Sequence, residues 1–322
     1  MNGNVPGTLR EIAALQHGVV SRQQALRAGL SADVIKSKIR NERWQHLQRG
    51  AYALFTGPPD RGARLWAAVL SAGPGAVLSH QTAAELQQLD GGEAPTIHVT
   101  VPTERRVRAA PGLVVYRSAR VAGMRFPPGA LPQTWIEDTI LDLTQSAETF
   151  DDACRWVTRA FGKGLTNEGK LRAALRQRRK LRWRSRLDEL ITAAAGGAHS
   201  VLEFRYDRDV ERAHRLPESR RQVPFAGPGG NNGFRDRYYD RYGVIVELDG
   251  NEAHPAEDHW KDKTRDNAAA AHGKQSLRYG WKHVRHEACD TAAEIAAVLR
   301  RRGWDGWPRP CSRACAIAKA ER

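Results

Sequence analysis

The sequence predicts a multidomain α/β protein of the α+β kind, and three observations lead to this class. The chain has 322 residues, enough for two or three domains of roughly 100–200 residues each. Residues 9–54 combine helical spacing with a hairpin pattern. The region after 199 runs helix, strand, strand, helix, strand (QSLRYGWKHV) and helix. The expected divisions are 1–58, 59–195 and 196–310, with a tail at 311–322.

The composition favours a polyanionic partner. The formal net charge is +15 and the isoelectric point is about 10.1, and such an excess favours nucleic acid, with double-stranded DNA first. A basic protein with no nucleic-acid partner is the alternative that charge alone leaves open. Hydrophobic residues make up 41% of the chain, which is enough to bury a core.

The chain shows no membrane or secretion pattern. No apolar run reaches the length of a membrane span, and the N-terminus lacks a basic-then-apolar signal, so we expect a cytoplasmic protein with no membrane partner. Four cysteines, at 154, 289, 311 and 315, fit neither a zinc knuckle nor a redox CxxC spacing. We therefore expect reduced, non-catalytic thiols.

Residues 9–54 predict a winged helix-turn-helix. Ser21 with Gln24 forms a capping-box pattern, Gly29 fits a helix stop, and Ser31 fits the next cap. The helix that follows can pack inward through its apolar positions, which are Val34, Ile35 and Ile39. A hairpin with Arg49-Gly50 near its tip comes next. The side chains expected in solvent and on DNA phosphates are Lys36, Lys38, Arg40, Arg43 and Arg49. A small helical domain for protein contacts is the alternative.

The middle region, 59–195, reads as mixed helices and strands with no catalytic cluster. Its most distinctive feature is the basic run at 176–186, with Trp183 inside it. This run predicts either a basic helix that follows a phosphate backbone, with Trp183 available for stacking on a base, or a solvated helix face. The residues that would bind nucleic acid are Arg178, Arg179, Lys180 and Arg182.

The segments FRDRYY and VIVELD predict a hairpin that carries acids. If Tyr239 lies opposite Val244, then Asp236 lies opposite Glu247, and Asp249 shares the face of Glu247. Like charges opposite one another destabilise a sheet, so a cation, a proton or a basic neighbour must offset them. Mg²⁺, or Mn²⁺ in its place, is the simplest answer.

The same register creates a difficulty. Arg235 and Arg237 would both fall on the face opposite the acids, alongside the apolar Val244, Val246 and Leu248. A shift of one residue would separate Asp236 from the other two carboxylates.

Three further residues are candidates for the same site. Glu203 can cap its helix from within the pattern SVLE or reach the acidic patch as a ligand. His254 can bind metal, transfer a proton or do neither, and Gln222 can orient a water or a phosphate. The full set of catalytic candidates is Asp236, Glu247, Asp249, Glu203 and His254, and the metal ligands are Asp236 and Glu247.

The C-terminal part, about 199–303, resembles bacterial domains related to very-short-patch-repair endonucleases, within the restriction-endonuclease-like PD-(D/E)xK superfamily. The segments that carry the likeness are SVLE, LPESRRQ, FRDRYYDRYGVIVELDGNEAH, DKTRDNAAAAHG and SLRYGWKHV. The resemblance implies a Mg²⁺-dependent nuclease fold with Asp236 and Glu247 as metal ligands and Glu203 and His254 in support. Asp249 stands where the wider superfamily has a lysine, although the patch-repair-like subgroup typically lacks it. Lys261 or Lys263 can replace that lysine only if the fold brings one near.

The N-terminal half, about 7–150, resembles the winged-helix antitoxin domain of abortive-infection (type IV toxin–antitoxin, AbiEi-like) proteins. The segments are LREIAALQHGVVSRQQALRAGLS, RGAYAL, LSHQTAAEL, IHVTVP and LPQTWIEDTILDL. This likeness implies DNA binding or regulation and supplies no catalytic residue.

These observations support two functions. The first is a Mg²⁺-dependent DNA endonuclease or nickase with its own DNA-binding head, acting in defence or repair. The second is an antitoxin-like transcriptional regulator with a degenerate nuclease-like domain and a toxin as its partner. A protein-interaction scaffold is a third reading.

Overall fold

The structure is a computed structural model that describes residues 5–108, 110–122, 129–196, 200–226, 232–249 and 266–320. Helices and mixed sheets occur in both halves, which confirms the α+β class. The chain divides into two compact units, 1–147 (unit 1) and 148–322 (unit 2). The finer divisions named above stay predictions. No helix in the described ranges has the length and apolar character needed to cross a membrane.

Unit 1 begins with short helices and a small antiparallel sheet. The Ser21–Gln24 capping box is present in both directions, and Gly29 follows α2 with φ +90°. Strand β3 lies between β1 and β2. The elements are α1 (Gly7–Leu15), β1 (Val19–Ser21), α2 (Arg22–Arg27), α3 (Ala32–Arg40), β2 (Gln45–Gln48) and β3 (Ala51–Ala53).

The inward stripe of α3 differs from the predicted one. Ile35 is buried and Ile39 packs beside it, as predicted, but Val34 is exposed. The expectation that Lys38 stays in solvent is also wrong, since Lys38 is only 8% exposed. Because residues at i, i+3 and i+4 share a helix face, Lys38 and Ile39 lie on the buried face with Ile35. Val34 lies on the exposed face. The Lys38 ammonium lies 5.7 Å from the centroid of the Trp44 ring.

The rest of unit 1 places helices against a second sheet. Strand β5 pairs with β4 antiparallel and with β6 parallel. Leu65, Leu78 and Val99 are fully buried between these elements. The elements are α4 (Arg61–Ala72), β4 (Val77–Leu78), α5 (His80–Leu86), β5 (Ile97–Val101), β6 (Leu113–Arg117) and α6 (Ile136–Ser146).

Unit 2 begins with α7 (Phe150–Gly162), α8 (Glu168–Arg176) and α9 (Arg184–Ala195). The predicted basic helix over 176–186 is wrong, because α8 ends where the run starts and α9 begins near its end. Trp183, just before α9, has the left-handed φ of +57°, which a continuing helix does not allow. The Trp183 ring meets Phe150 edge-on at 5.6 Å between centroids.

The sheet of unit 2 has the order β7-β8-β9-β10, with β10 parallel to β9 and the other pairs antiparallel. The predicted strand QSLRYGWKHV is shorter than expected, because it ends at Gly280 and Trp281 begins a helix. A further helix covers 266–271. The named elements are α10 (Val201–Arg205), a π-helix (Tyr206–Arg212), β7 (Arg220–Ala226), β8 (Asn232–Tyr239), β9 (Val244–Asp249), β10 (Gln275–Gly280), α11 (Trp281–His286), α12 (Ala288–Arg301) and α13 (Ala316–Ala320).

One face of this sheet forms the core of unit 2. Val244, Val246 and Leu248 are buried there, as predicted, against Tyr206 and Val210 of the π-helix. Because strand side chains alternate, Ile245 and Glu247 are turned to the other face, where the candidate site lies.

Candidate functional site

The register of the acidic hairpin is the predicted one. Tyr239 lies opposite Val244, and Arg237 lies opposite Val246. Asp236 and Glu247 are therefore neighbours, and the Asp236 backbone N–H lies 3.5 Å from Glu247 Oε2. The Asp236 side chain accepts a hydrogen bond from the Leu248 backbone N–H at 2.8 Å.

The strand alternation breaks at Asp236. The expectation that Arg235 shares the core face with Arg237 is wrong: Arg237 is fully buried on the core side, whereas Arg235 lines a cavity with Tyr238 and Ile245 on the acidic side. The partner strand is irregular at the same level, since Gln222 has φ +46° and leaves the β7–β8 ladder there. At this level β8 turns two consecutive side chains, Arg235 and Asp236, to the same side of the sheet.

Arg235 compensates Glu247 directly. Its guanidinium donates to Glu247 Oε1 at 2.8 Å and lies 3.9 Å from the centroid of the Phe225 ring. Burial raises the pKa of the Glu247 carboxyl, the bond from Arg235 opposes that shift, and the nearby Asp236 charge adds to it. A basic neighbour is thus one of the offsets that the sequence predicts for this face.

Glu203 joins the same cluster through Gln222. The Gln222 amide Nε2 lies 3.3 Å from Glu203 Oε2 and 3.1 Å from Asp236 Oδ1, so one amide serves two carboxylates. The Glu203 backbone N–H also bonds to Ser200 Oγ, as expected for a helix start. We call Glu203, Gln222, Asp236 and Glu247 the acidic cluster.

Asp249 pairs with a basic residue of the neighbouring strand. Both of its carboxylate oxygens lie 3.4 Å from Arg278 Nη1, and Arg278 also bonds Asp266 at 3.0 Å. Arg278 lies opposite Glu247 on the parallel strand β10, so a guanidinium stands beside the third strand carboxylate. The convergence of Asp249 with Asp236 and Glu247 stays a prediction. His254, Lys261 and Lys263 lie outside the described residues.

A cavity adjoins the acidic cluster at Arg235. Its wall combines basic groups with aromatic rings, and Lys274 Nζ lies 5.0 Å from the centroid of the Tyr238 ring. The lining residues are Val223, Pro224, Phe225, Arg235, Tyr238, Ile245, Ala268, Ala269, His272 and Lys274.

A buried polar network supports the cluster from the core side. Arg237 pairs with Asp207 at 2.8 Å, and Arg221 reaches the other Asp207 oxygen at 2.9 Å. Glu211 accepts bonds from the Ser219 hydroxyl at 2.6 Å and the Tyr239 hydroxyl at 3.0 Å. Burial raises the pKa of Glu211 to about 7. Sequence reasoning missed this network, although acids recur at positions 203, 207 and 211, the spacing of one helical stripe.

The basic candidates of unit 1 lie mostly in solvent. Arg40, Arg43 and Arg49 are exposed, and exposed Lys36 has Asp33 at 3.8 Å. Lys38 is buried and is not placed to contact a phosphate backbone directly.

The basic candidates of unit 2 differ in exposure. Arg179 and Lys180 are exposed, whereas Arg178 is half-buried. Arg182 is exposed, yet its guanidinium stacks on Trp183 at 3.8 Å and bonds the Glu148 carbonyl. With Arg182 on the Trp183 ring and Phe150 at its edge, this tryptophan is not open for stacking on a base.

A second group of side chains was missed entirely from the sequence. His214, Cys289, Cys311 and Cys315 come together in unit 2, with one ligand atom from each within 4.8 Å of the others. Within the described ranges, this is the only set of three or more histidine, cysteine or acidic side chains that meets so closely. We call it the thiol cluster.

Comparison with known proteins adds no assignment. No family model matches the chain, and no curated protein matches it.

Proposed function

We propose that unit 2 is a metal-dependent nuclease that hydrolyses DNA phosphodiesters, as an endonuclease or a nickase. The observation that carries this proposal is the acidic cluster: two strand acids, a helix acid and an amide meet at one break in the sheet, beside a basic and aromatic cavity. Sheet irregularities of this kind occur frequently at active sites.

The donor set fits Mg²⁺ or Mn²⁺. Asp236 and Glu247 would hold the ion, with the Glu203 carboxylate close by, and all three offer the oxygen ligands that hard cations prefer. The pKa of Glu247 is raised first by burial and further by the Asp236 charge, and Arg235 opposes both effects. When bound, the ion neutralises charge on the scissile phosphate and lowers the pKa of a water.

The remaining groups would position the substrate. Arg235, His272 and Lys274 line the cavity and would bind phosphate oxygens. Phe225 and Tyr238 in the same wall offer rings for an unpaired base. Gln222 would fix the orientation of the Glu203 and Asp236 carboxylates, since it donates to both.

Unit 1 would supply the DNA-binding head. Its helix, strand, two helices and hairpin follow in the order of a winged helix-turn-helix, and α3 would enter the major groove. Arg40 and Arg43 at the end of α3, and Arg49 at the hairpin tip, would contact phosphates.

Cleavage of supercoiled plasmid with Mg²⁺ tests the proposal. The Asp236→Ala/Glu247→Ala double variant should lose activity, while Asp240→Ala, which removes an acid from the β8–β9 turn, should keep it. A mobility shift should show that both variants still bind DNA. Equal cleavage by wild type and the double variant would reject the nuclease.

The second candidate is a DNA-binding regulator whose nuclease-like domain is inactive. Arg235 already pairs with Glu247 at 2.8 Å, and Asp249 occupies the place of the superfamily lysine. Such a regulator would bind DNA upstream of its own gene in EDTA more tightly than random duplex and would act with a toxin partner. A mobility shift with no sequence preference would reject it.

A further inference from the structure

The thiol cluster brings together residues that are far apart in sequence. His214 lies in the turn that follows the π-helix, and Cys289 lies in the first turn of α12. Cys311 and Cys315 precede α13. Each ligand atom lies within 4.8 Å of the others. Three cysteines and one histidine form one of the standard donor sets of structural zinc sites.

The two nitrogens of His214 are in unlike surroundings. Nδ1 lies 2.9 Å from the Val210 carbonyl oxygen, which can only accept, so this nitrogen carries the proton. Nε2 then has a lone pair, and it is buried with no hydrogen bond of normal geometry, beside the Cys315 thiol, in a side chain that is 0% exposed. An unsatisfied buried acceptor is costly, whereas a metal-binding histidine commonly bonds a carbonyl through its other nitrogen in this way.

The distance between two of the sulfur atoms is that of separate thiols and not of a disulfide. Cys289 Sγ and Cys311 Sγ lie 3.5 Å apart, far beyond the roughly 2.05 Å of a disulfide. Two thiolates on one tetrahedral zinc, at about 2.3 Å each, stand about 3.8 Å apart. Cys311 and Cys315 are separated by three residues, which is not the spacing of a zinc knuckle or a CxxC pair but lies within the two-to-four range of structural zinc sites in general.

We propose that His214 Nε2 and the thiolates of Cys289, Cys311 and Cys315 bind one structural Zn²⁺. Four protein ligands close the coordination sphere, so the ion holds chain segments together and performs no catalysis. It joins the C-terminal segment to α12 and to the end of the π-helix, where the Arg309 N–H already bonds the His214 carbonyl at 2.8 Å. Exposed Cys311 gives the ion a route of entry.

Metal analysis of the full chain, purified under reducing conditions without a chelator, tests this site. We expect one zinc per chain in wild type and in the control Cys154→Ala, which removes the buried cysteine outside the cluster. In Cys311→Ser and Cys289→Ser/Cys311→Ser we expect the zinc content to fall at least fivefold. Zinc retained in the double variant, or metal-free wild type with these thiols reduced or joined in a disulfide, would overturn the proposal.

Cobalt substitution of the wild-type protein tests the zinc site even if a variant fails to fold. Co²⁺ added to zinc-depleted protein should give the intense absorption of a tetrahedral thiolate site at one equivalent, and Zn²⁺ should abolish it. A weak spectrum typical of octahedral cobalt would overturn the assignment. Neither measurement depends on nuclease activity, so the zinc site and the proposed function fail or stand separately.

Discussion

The acidic cluster and the thiol cluster lie in the same unit but satisfy their polar atoms in opposite ways. In the acidic cluster the protein supplies the counter-groups: Arg235 for Glu247, Gln222 for Glu203 and Asp236, and a backbone N–H for Asp236. In the thiol cluster, His214 Nε2 is buried with no hydrogen bond of normal geometry, and thiols lie beside it. A metal at the first must compete with protein groups, whereas a metal at the second fills a gap. We therefore expect weak, exchangeable binding at the acidic cluster and tight binding at the thiol cluster.

Removal of zinc should produce the largest change in stability. A structural zinc contributes several kcal/mol to folding, so 1,10-phenanthroline should lower the apparent Tm of the Mg²⁺-free protein by roughly 10 °C or more. Circular dichroism during heating measures this, with Cys154→Ala as a control that responds like wild type. A Cys311→Ser variant that responds as strongly as wild type would break the comparison.

Glu211 lies outside both clusters, and burial of its carboxyl makes the stability of the fold depend on pH. Its folded pKa of about 7 exceeds its ordinary value of 4.5, so the folded state holds the proton more tightly. The resulting stabilisation of the folded state is complete below pH 4.5 and is lost as pH rises through 7. The free energy of unfolding changes by about 3 kcal/mol over this range. Burial is the main cause of the raised pKa and the Asp207 charge adds to it, whereas Ser219, Arg237 and Tyr239 oppose it.

Glu211→Gln should remove that pH dependence and raise the free energy of unfolding at pH 8. Urea unfolding at pH 5 and pH 8, compared between variant and wild type, isolates the effect from other titrating groups. An unchanged difference between the two pH values would show that Glu211 is ionised throughout.

The two aspartates of the hairpin should differ sharply in catalysis. Asp236→Asn removes a proposed metal ligand and should lower Mg²⁺-dependent cleavage on the order of 100-fold. Asp249→Asn should change it by less than about threefold, because Arg278 already pairs with that carboxylate. The initial rate of plasmid nicking measures both. Equal losses would show that Asp249 is a metal ligand in spite of its pairing with Arg278.

The smallest effect is expected at Arg235. If this guanidinium competes with the metal for Glu247, Arg235→Gln should lower the Mg²⁺ concentration for half-maximal cleavage by roughly fivefold, since one repelling charge is removed. A Mg²⁺ titration of the cleavage rate measures this. A higher Mg²⁺ requirement would mean that Arg235 positions Glu247 instead.

Local patterns carried the parts of the fold that sequence could predict. The hairpin register follows from Tyr239, Val244 and a short connection, because a slip of one residue would turn Val244 and Val246 away from the core. The capping box at Ser21 is equally local. The acidic pair 236 and 247 could be found for this reason.

Features that depend on contacts between residues distant in sequence could not be predicted. The turn of Arg235 to the acidic face coincides with an irregularity at Gln222 on another strand, and Arg278 reaches Asp249 only once β10 pairs with β9. The thiol cluster combines His214 with Cys311 across 96 intervening residues, a separation at which spacing carries no information.

The irregular backbone at Gln222 has one more consequence, because β7 is an edge strand of its sheet. Edge strands with regular, unpaired backbone groups can pair with strands of other molecules and start aggregation. The left-handed backbone of Gln222 interrupts that regularity, and Pro224, two positions on, has no N–H to donate. The irregularity beside the candidate site therefore also opposes aggregation through this edge.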